Sequence, residues 1–163
     1  MQNAKLRQKG FGLLEVLVGL TILSVSFFAL LVVSRGMLAV SRETAYNLQA
    51  DYLLEEGVEA LRSIRDQNWA TYITPLSGTN YLVFEASPIT RWTTTSTPEI
   101  IDSFFNRGFV ISDVYRDSSS DDIADSGTFD PDTKKFVVSV DWQGRNGTTT
   151  RSVSTYLTNY FND

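Results

Sequence analysis

One acid, Glu15, stands inside a stretch that is otherwise apolar or small from Phe11 to Val33. A carboxylate in a membrane helix is disfavoured by about 2.5–3.5 kcal/mol on insertion-type scales, so an acid there is a functional residue by default. Two readings are open. Glu15 lies near the headgroups and reaches into water, or it pairs with a cation that arrives on assembly.

A second group of acids runs through "DSSSDDIADSGTFDPD", with Asp117, Asp121, Asp122 and Asp125 followed by Asp130 and Asp132. Oxygen-rich loops can hold calcium through several carboxylates. The spacing is not that of an EF-hand loop, and Asp, Ser, Gly and Pro are also ordinary turn formers. The expectation is a solvated turn region with no metal. Calcium held by Asp117, Asp121, Asp122 and Asp125 is the alternative.

Other chemistry is excluded by composition. The chain has no Cys and no His, which removes disulfides, thiol nucleophiles, imidazole bases and zinc sites of the Cys/His type. Asp121 and Asp122 are adjacent, so on a strand their side chains diverge. No nucleophile-elbow or phosphate-loop pattern occurs. The chain therefore reads as no enzyme, and no cofactor is expected.

Charge is uneven over the 163 residues. There are 14 Lys+Arg against 19 Asp+Glu, a net of −5. Lys5, Arg7 and Lys9 lie in a first decade without acids, so the rest carries −8. An acidic body is a poor partner for nucleic acid, because phosphate neutralisation needs clustered Lys and Arg.

These residues need elements to position them. Val16 to Ser34 is 19 residues without a charge. As a helix at about 1.5 Å per residue it spans roughly 28 Å, close to a bilayer's hydrocarbon thickness. The basic flank before it should stay in the cytoplasm, so the remainder should cross. A cleaved secretory signal fits badly, since its apolar region would be shorter and no small-x-small site follows near Val33 to Ser41.

The helical pattern continues. Ala50, Leu53, Leu54, Gly57, Val58, Leu61 and Ile64 fall on one arc, interrupted by Arg65. Asp51, Glu55, Glu59, Arg62 and Asp66 form a solvated stripe. With no proline from Phe11 to Asp66, a single helix of about 84 Å is expected, with Gly19 and Gly36 as weak points. After Gln67 the pattern changes. Strands are expected at Tyr81 to Glu85 and Phe104 to Arg116 and a loop at Thr93 to Pro98, with a short helix over Pro98 to Phe105 as an alternative there.

Phe136, Val138, Val140 and Trp142 alternate with polar or smaller residues, and Asn146-Gly147 precedes a Thr-rich run. A two-residue hairpin turn at Asn-Gly would set Arg145 opposite Thr148, Val140 opposite Val153, Trp142 opposite Arg151 and Phe136 opposite Leu157. The fold class is α+β: a long N-terminal helix on a small antiparallel sheet of about four strands.

The stretch Lys9-Gly10-Phe11-Gly12-Leu13-Leu14-Glu15, followed by about twenty apolar residues, resembles the processing signal of type IV pilins and type II secretion pseudopilins. The resemblance implies cleavage after Gly10 by a prepilin peptidase, N-methylation of Phe11, and an assembly role for Glu15 as the acid five residues into the mature chain. Gly12 stands where Thr or Ser is commoner, and Leu14 where Ile is common. "VYRD", "FVVSVDWQGRNG" and "RSVSTYLTN" resemble heads of minor-pilin-like proteins, less specifically. Major pilins often close that head with a disulfide, which a chain without Cys lacks.

The implied organisation is a cleaved leader over 1–10, a transmembrane and filament-core helix over 11–35, its amphipathic continuation over 36–66 and a β head over 67–163. The implied function is that of a minor pilin. A type II secretion pseudopilin is the alternative within the class. A membrane-anchored binding domain that never polymerises is the alternative outside it. The implied partners are other pilin subunits, the peptidase and methyltransferase, the pilus or secretion assembly machinery, and the inner membrane with the N-terminus in the cytoplasm. The destination is an extracellular or periplasmic filament.

Overall fold

The computed structural model describes residues 12–145 and 147–161. Its contacts divide into two units, one reaching Thr44 and one starting at Ala45. A single helix, α1 (Leu13–Gln67), runs through both. Neither Gly19 nor Gly36 ends it, since one glycine costs a helix interior only about 1 kcal/mol.

In the first unit α1 buries nothing within the chain: every described residue up to Leu38 is exposed. Phe27, Phe28 and Leu30 are each about two-thirds exposed or more. Hydroxyls in its apolar stretch bond within the helix. Thr21, Ser24 and Ser26 donate to the carbonyl oxygens of Leu17, Leu20 and Ile22 at 2.6, 2.8 and 2.8 Å. A helix whose polar groups are closed internally and whose surface is apolar all round suits a lipid solvent. By length and composition it can cross a membrane.

In the second unit α1 becomes one-faced. Ala50, Leu54, Gly57, Ala60, Leu61 and Ile64 are buried, while Glu55, Glu59 and Arg62 are exposed. A short helix, α2 (Trp69–Tyr72), follows, capped by Asn68, whose side-chain oxygen accepts from the Thr71 amide at 2.7 Å. This turn carries no period long enough to be read from sequence.

The sheet comprises β1 (Gly78–Glu85), β2 (Arg91–Thr95), β3 (Ile100–Ile101), β4 (Phe105–Arg116), β5 (Ile123–Ala124), β6 (Thr128–Gly144) and β7 (Gly147–Thr158). The main order is β2-β1-β4-β6-β7, with β3 and β5 also on β4, and every pairing is antiparallel. Among the described residues seven strands replace the expected four or so. The additions are short pieces that exist through pairing with a longer neighbour.

Thr93–Thr95, expected in a loop, pair with Val83, Leu82 and Tyr81 as strand. Their β-branched side chains suit the pleat. The short helix offered between Pro98 and Phe105 does not form; a two-residue strand and a turn stand there instead. Ile100 and Ile101 pair with Asn106 and Phe105, and Asp102 and Ser103 turn the chain at φ 52° and 57°. The Phe104 amide closes that turn on the Ile101 oxygen at 3.0 Å.

The last hairpin also differs. Gly144 pairs with Gly147, Val140 with Arg151, Val138 with Val153 and Phe136 with Thr155. The register is therefore moved by two from the expected one. A two-residue move leaves every side chain on its original face, so alternation cannot detect it. The observed register sets two glycines opposite each other. A Cβ on Gly144 would lie 2.7 Å from the Thr149 hydroxyl oxygen.

The core lies between α1 and the inner faces of β4 and β6, where Phe105, Phe109, Phe136, Val138 and Val140 are fully buried. The helix reaches them because residue 57 has no side chain. A Cβ there would stand 2.9 Å from Val138 Cγ1 and 3.3 Å from Arg107 Cδ. Overpacking a well-filled core costs about 1–3 kcal/mol. Gly57→Leu in the full chain in detergent should lose stability by at least that amount, read as a lower denaturant midpoint of the head's unfolding.

Candidate functional site

Of the residues singled out for processing and assembly, Gly10 and Phe11 lie outside the described residues. Glu15 is described. It occupies the first turn of α1, where its amide bonds the Gly12 oxygen at 2.9 Å, and its side chain is exposed. An acid in a helix's first turn is favoured by the unpaired N–H groups there. Beside it Leu13 and Leu14 are 82% and 79% exposed. The carboxylate thus sits at the start of an apolar surface that the chain itself does not cover.

The acidic segment leaves β4 through a turn, includes β5 and runs onto the start of β6, where Asp130 and Asp132 lie. One carboxylate oxygen of Asp117 accepts from the Ser119 amide at 2.8 Å, from the Ser120 amide at 3.0 Å and from the Ser119 hydroxyl. The hydroxyl of Ser119, then the amides of Ser119 and Ser120, hold the Asp117 carboxyl down at about 2. At the loop's base Arg116 donates through Nε to Asp130 at 2.6 Å and through Nη1 to the Asp121 oxygen at 2.9 Å. Burial alone would raise the Asp130 carboxyl. Bonds from Arg116, the Thr133 hydroxyl and the Asp132 amide outweigh it and hold that carboxyl below the usual range.

Asp121, Asp122 and Asp125 are exposed, and among the described residues no group of three or more acids comes together to hold a metal ion. The acids lie together in sequence, yet two of the carboxylates, Asp117 and Asp130, are directed into the loop's own turn and base.

Arg107 was missed by sequence reasoning. It lies on the inward phase of β4 between Phe105 and Phe109 and is 4% exposed. Its guanidinium donates to Glu56 at 2.5 Å and to the Leu53 oxygen at 3.3 Å, and stands 5.2 Å over the Trp92 ring. The available signal was a cation at the buried phase of an apolar strand. Such a cation needs a carboxylate on the element opposite. A second link, Arg151 to both oxygens of Asp51, ties the outermost strand to the same helix.

A helix that is apolar all round and then one-faced, docked by its second half on an antiparallel sheet, defines a class: a membrane-capable helix carrying an α+β head. Residues 5–31 match the family model described as the prokaryotic N-terminal methylation motif. With that motif on this helix, the chain is type IV pilin-like. No curated protein and no solved structure matches the chain.

Two outcomes are expected in the head. Glu56→Ala leaves the Arg107 guanidinium without its carboxylate and should cost about 1–3 kcal/mol. Glu59→Ala, removing only an exposed pair with Arg62, should cost less than about 1 kcal/mol. Denaturant midpoints of the two variants check the contrast. Asp117 titrates below its ordinary 3.8. Its contribution to stability is therefore complete above about pH 4 and is lost as pH falls toward 2. The stability difference between wild type and Asp117→Asn should shrink over that window and stay level from pH 5 to 7, read by urea melts at each pH.

Proposed function

We propose that the chain is a structural subunit of a type IV pilus-like filament, in the role of a minor pilin and without catalytic activity of its own. The observation that carries the reading is the coincidence, within residues 5–31, of a methylation motif, a lone acid and an apolar helix surface that the chain does not bury. A prepilin peptidase cuts after Gly10 on the cytoplasmic side, and the new N-terminus, Phe11, is methylated. The helix holds the subunit in the inner membrane until it is drawn into a filament beyond it, among other pilin subunits.

Within the filament the apolar helices stack side by side. Cleavage frees the Phe11 amine, a cation at neutral pH. Glu15 of one subunit pairs with the Phe11 ammonium of a neighbour. Desolvation cancels much of the attraction between two buried charges, so the pair contributes register more than affinity. Any other stagger leaves a charge unpaired in an apolar core. A type II secretion pseudopilin is the alternative within the same class.

The test separates processing from assembly. Intact mass of the membrane-extracted protein should show loss of residues 1–10 and gain of one methyl group. Gly10→Val should retain the leader, because the peptidase has to accept a residue without a side chain there. Glu15→Leu should still be cleaved and inserted, yet leave the Phe11 ammonium buried alone, at a cost of about 3–5 kcal/mol. Its ratio of sheared-filament to membrane-bound protein should fall well below wild type, with Glu15→Asp between the two. Wild-type incorporation of Glu15→Leu would return Glu15 to a residue that merely reaches the membrane face.

A further inference from the structure

Strand β7 is the outermost strand on its side of the sheet, and among the described residues only β6 pairs with it. Parity identifies its spare backbone groups. Gly144 and Gly147 flank a two-residue turn, which makes them a hydrogen-bonded pair, and every second residue of β7 then repeats that bonding. The series ends on Asn159, whose amide donates to the Asp132 oxygen at 2.8 Å, in phase with Gly147. The N–H and C=O groups of Thr148, Thr150, Ser152, Ser154, Tyr156 and Thr158 therefore point away from the sheet.

Edge strands are ordinarily blunted by Lys, Pro, bulges or brevity. The opposite edge, β2, has five residues, begins on Arg91 and lies between Pro88 and Pro98. Over its 12 residues β7 has no Pro, no Lys and no acid, and its register with β6 is unbroken. Its one charge, Arg151, is turned to Asp51 on α1. Beside it Val153 is 38% exposed. Leu48, one helical turn from Asp51, is 54% exposed.

We propose that the β7 edge is a docking site for an extended segment of a different polypeptide, which adds to the sheet as a further strand. The outward backbone groups supply the hydrogen bonds. Apolar or small side chains on one face of the segment cover Val153 and Leu48. A second copy is a poor occupant. Two-fold pairing of β7 with itself reverses the direction of α1, and chains anchored in one membrane run α1 the same way. A co-oriented copy can offer only β2, which runs parallel to β7 and is short. This exclusion rests on the anchoring proposed above.

The test places the photo-crosslinker p-benzoylphenylalanine at Ser152 of the full chain in cells and identifies the adduct by mass. Ser154→Pro removes an outward donor and leaves the β6 ladder whole. Ser154→Lys adds a charge at the edge. The expected result is an adduct with a different polypeptide whose yield falls at least about fivefold in both variants, as edge protection predicts. An adduct with a second copy, no adduct, or a yield unchanged in both variants overturns the proposal. Intact mass in the same sample follows processing after Gly10. A processed chain without a β7 adduct overturns the docking site alone, whereas an unprocessed chain overturns the pilin reading.

Discussion

Helix α1 meets two different surroundings along one uninterrupted backbone, and the rest of the structure depends on how its second half docks. Ala50, Gly57 and Ala60 are small where the helix approaches the sheet, and Leu54, Leu61 and Ile64 fill the spaces between them. Gly57 admits Val138 and the stem of Arg107 to contact distance. Arg107 then finds Glu56 and the Leu53 oxygen on the same turn of helix. Burying a cation is tolerated only when it is paired and hydrogen-bonded. The arginine therefore does for the helix–sheet register what an apolar contact alone does poorly: it penalises any slide along the helix axis.

The head's periphery follows from that docking. Arg151 on β7 reaches Asp51, and Gln49 donates to Asp102 at 3.0 Å in the turn before β4. Tyr46 lies 4.7 Å from Phe104 between ring centroids. Each contact joins α1 to a residue far away in sequence, on the outermost strand β7 or in the turn before β4. No disulfide takes part, since the chain has no Cys. The acidic loop closes by a separate means, with Asp117 holding its own following amides and Arg116 clamping Asp130. Two of the six acids are thus bonded within the segment, while Asp121, Asp122 and Asp125 face solvent.

Several features were legible because they depend on local periodicity or on a short motif. The long helix, its change from all-round to one-faced apolarity, and the strands β1, β4, β6 and β7 could all be read from the spacing of apolar residues. Glu15 stood out as the one acid in an apolar run. Strands β2, β3 and β5 were not legible: five residues or two carry no usable period, and they exist only because β1 or β4 offers free backbone groups beside them. The hairpin register was misread by two residues for a related reason. The pleat repeats every two residues, so the apolar pattern fits both registers equally well.

The sequence by itself determined where apolar surface lies along the chain and where a lone charge interrupts it, because solvent preference belongs to each residue and needs no fold to exist. It thereby determined a membrane-capable helix, an amphipathic continuation and a sheet-forming remainder. Only the tertiary structure decided that Gly57 is a point of close approach, that Arg107 and Glu56 are partners, and which strand was left with an open edge. Each of these is a relation between residues distant in sequence. Such relations come into being only when the chain packs, since burial changes the cost of a charge, a cavity or an unpaired amide from almost nothing to about 1–3 kcal/mol.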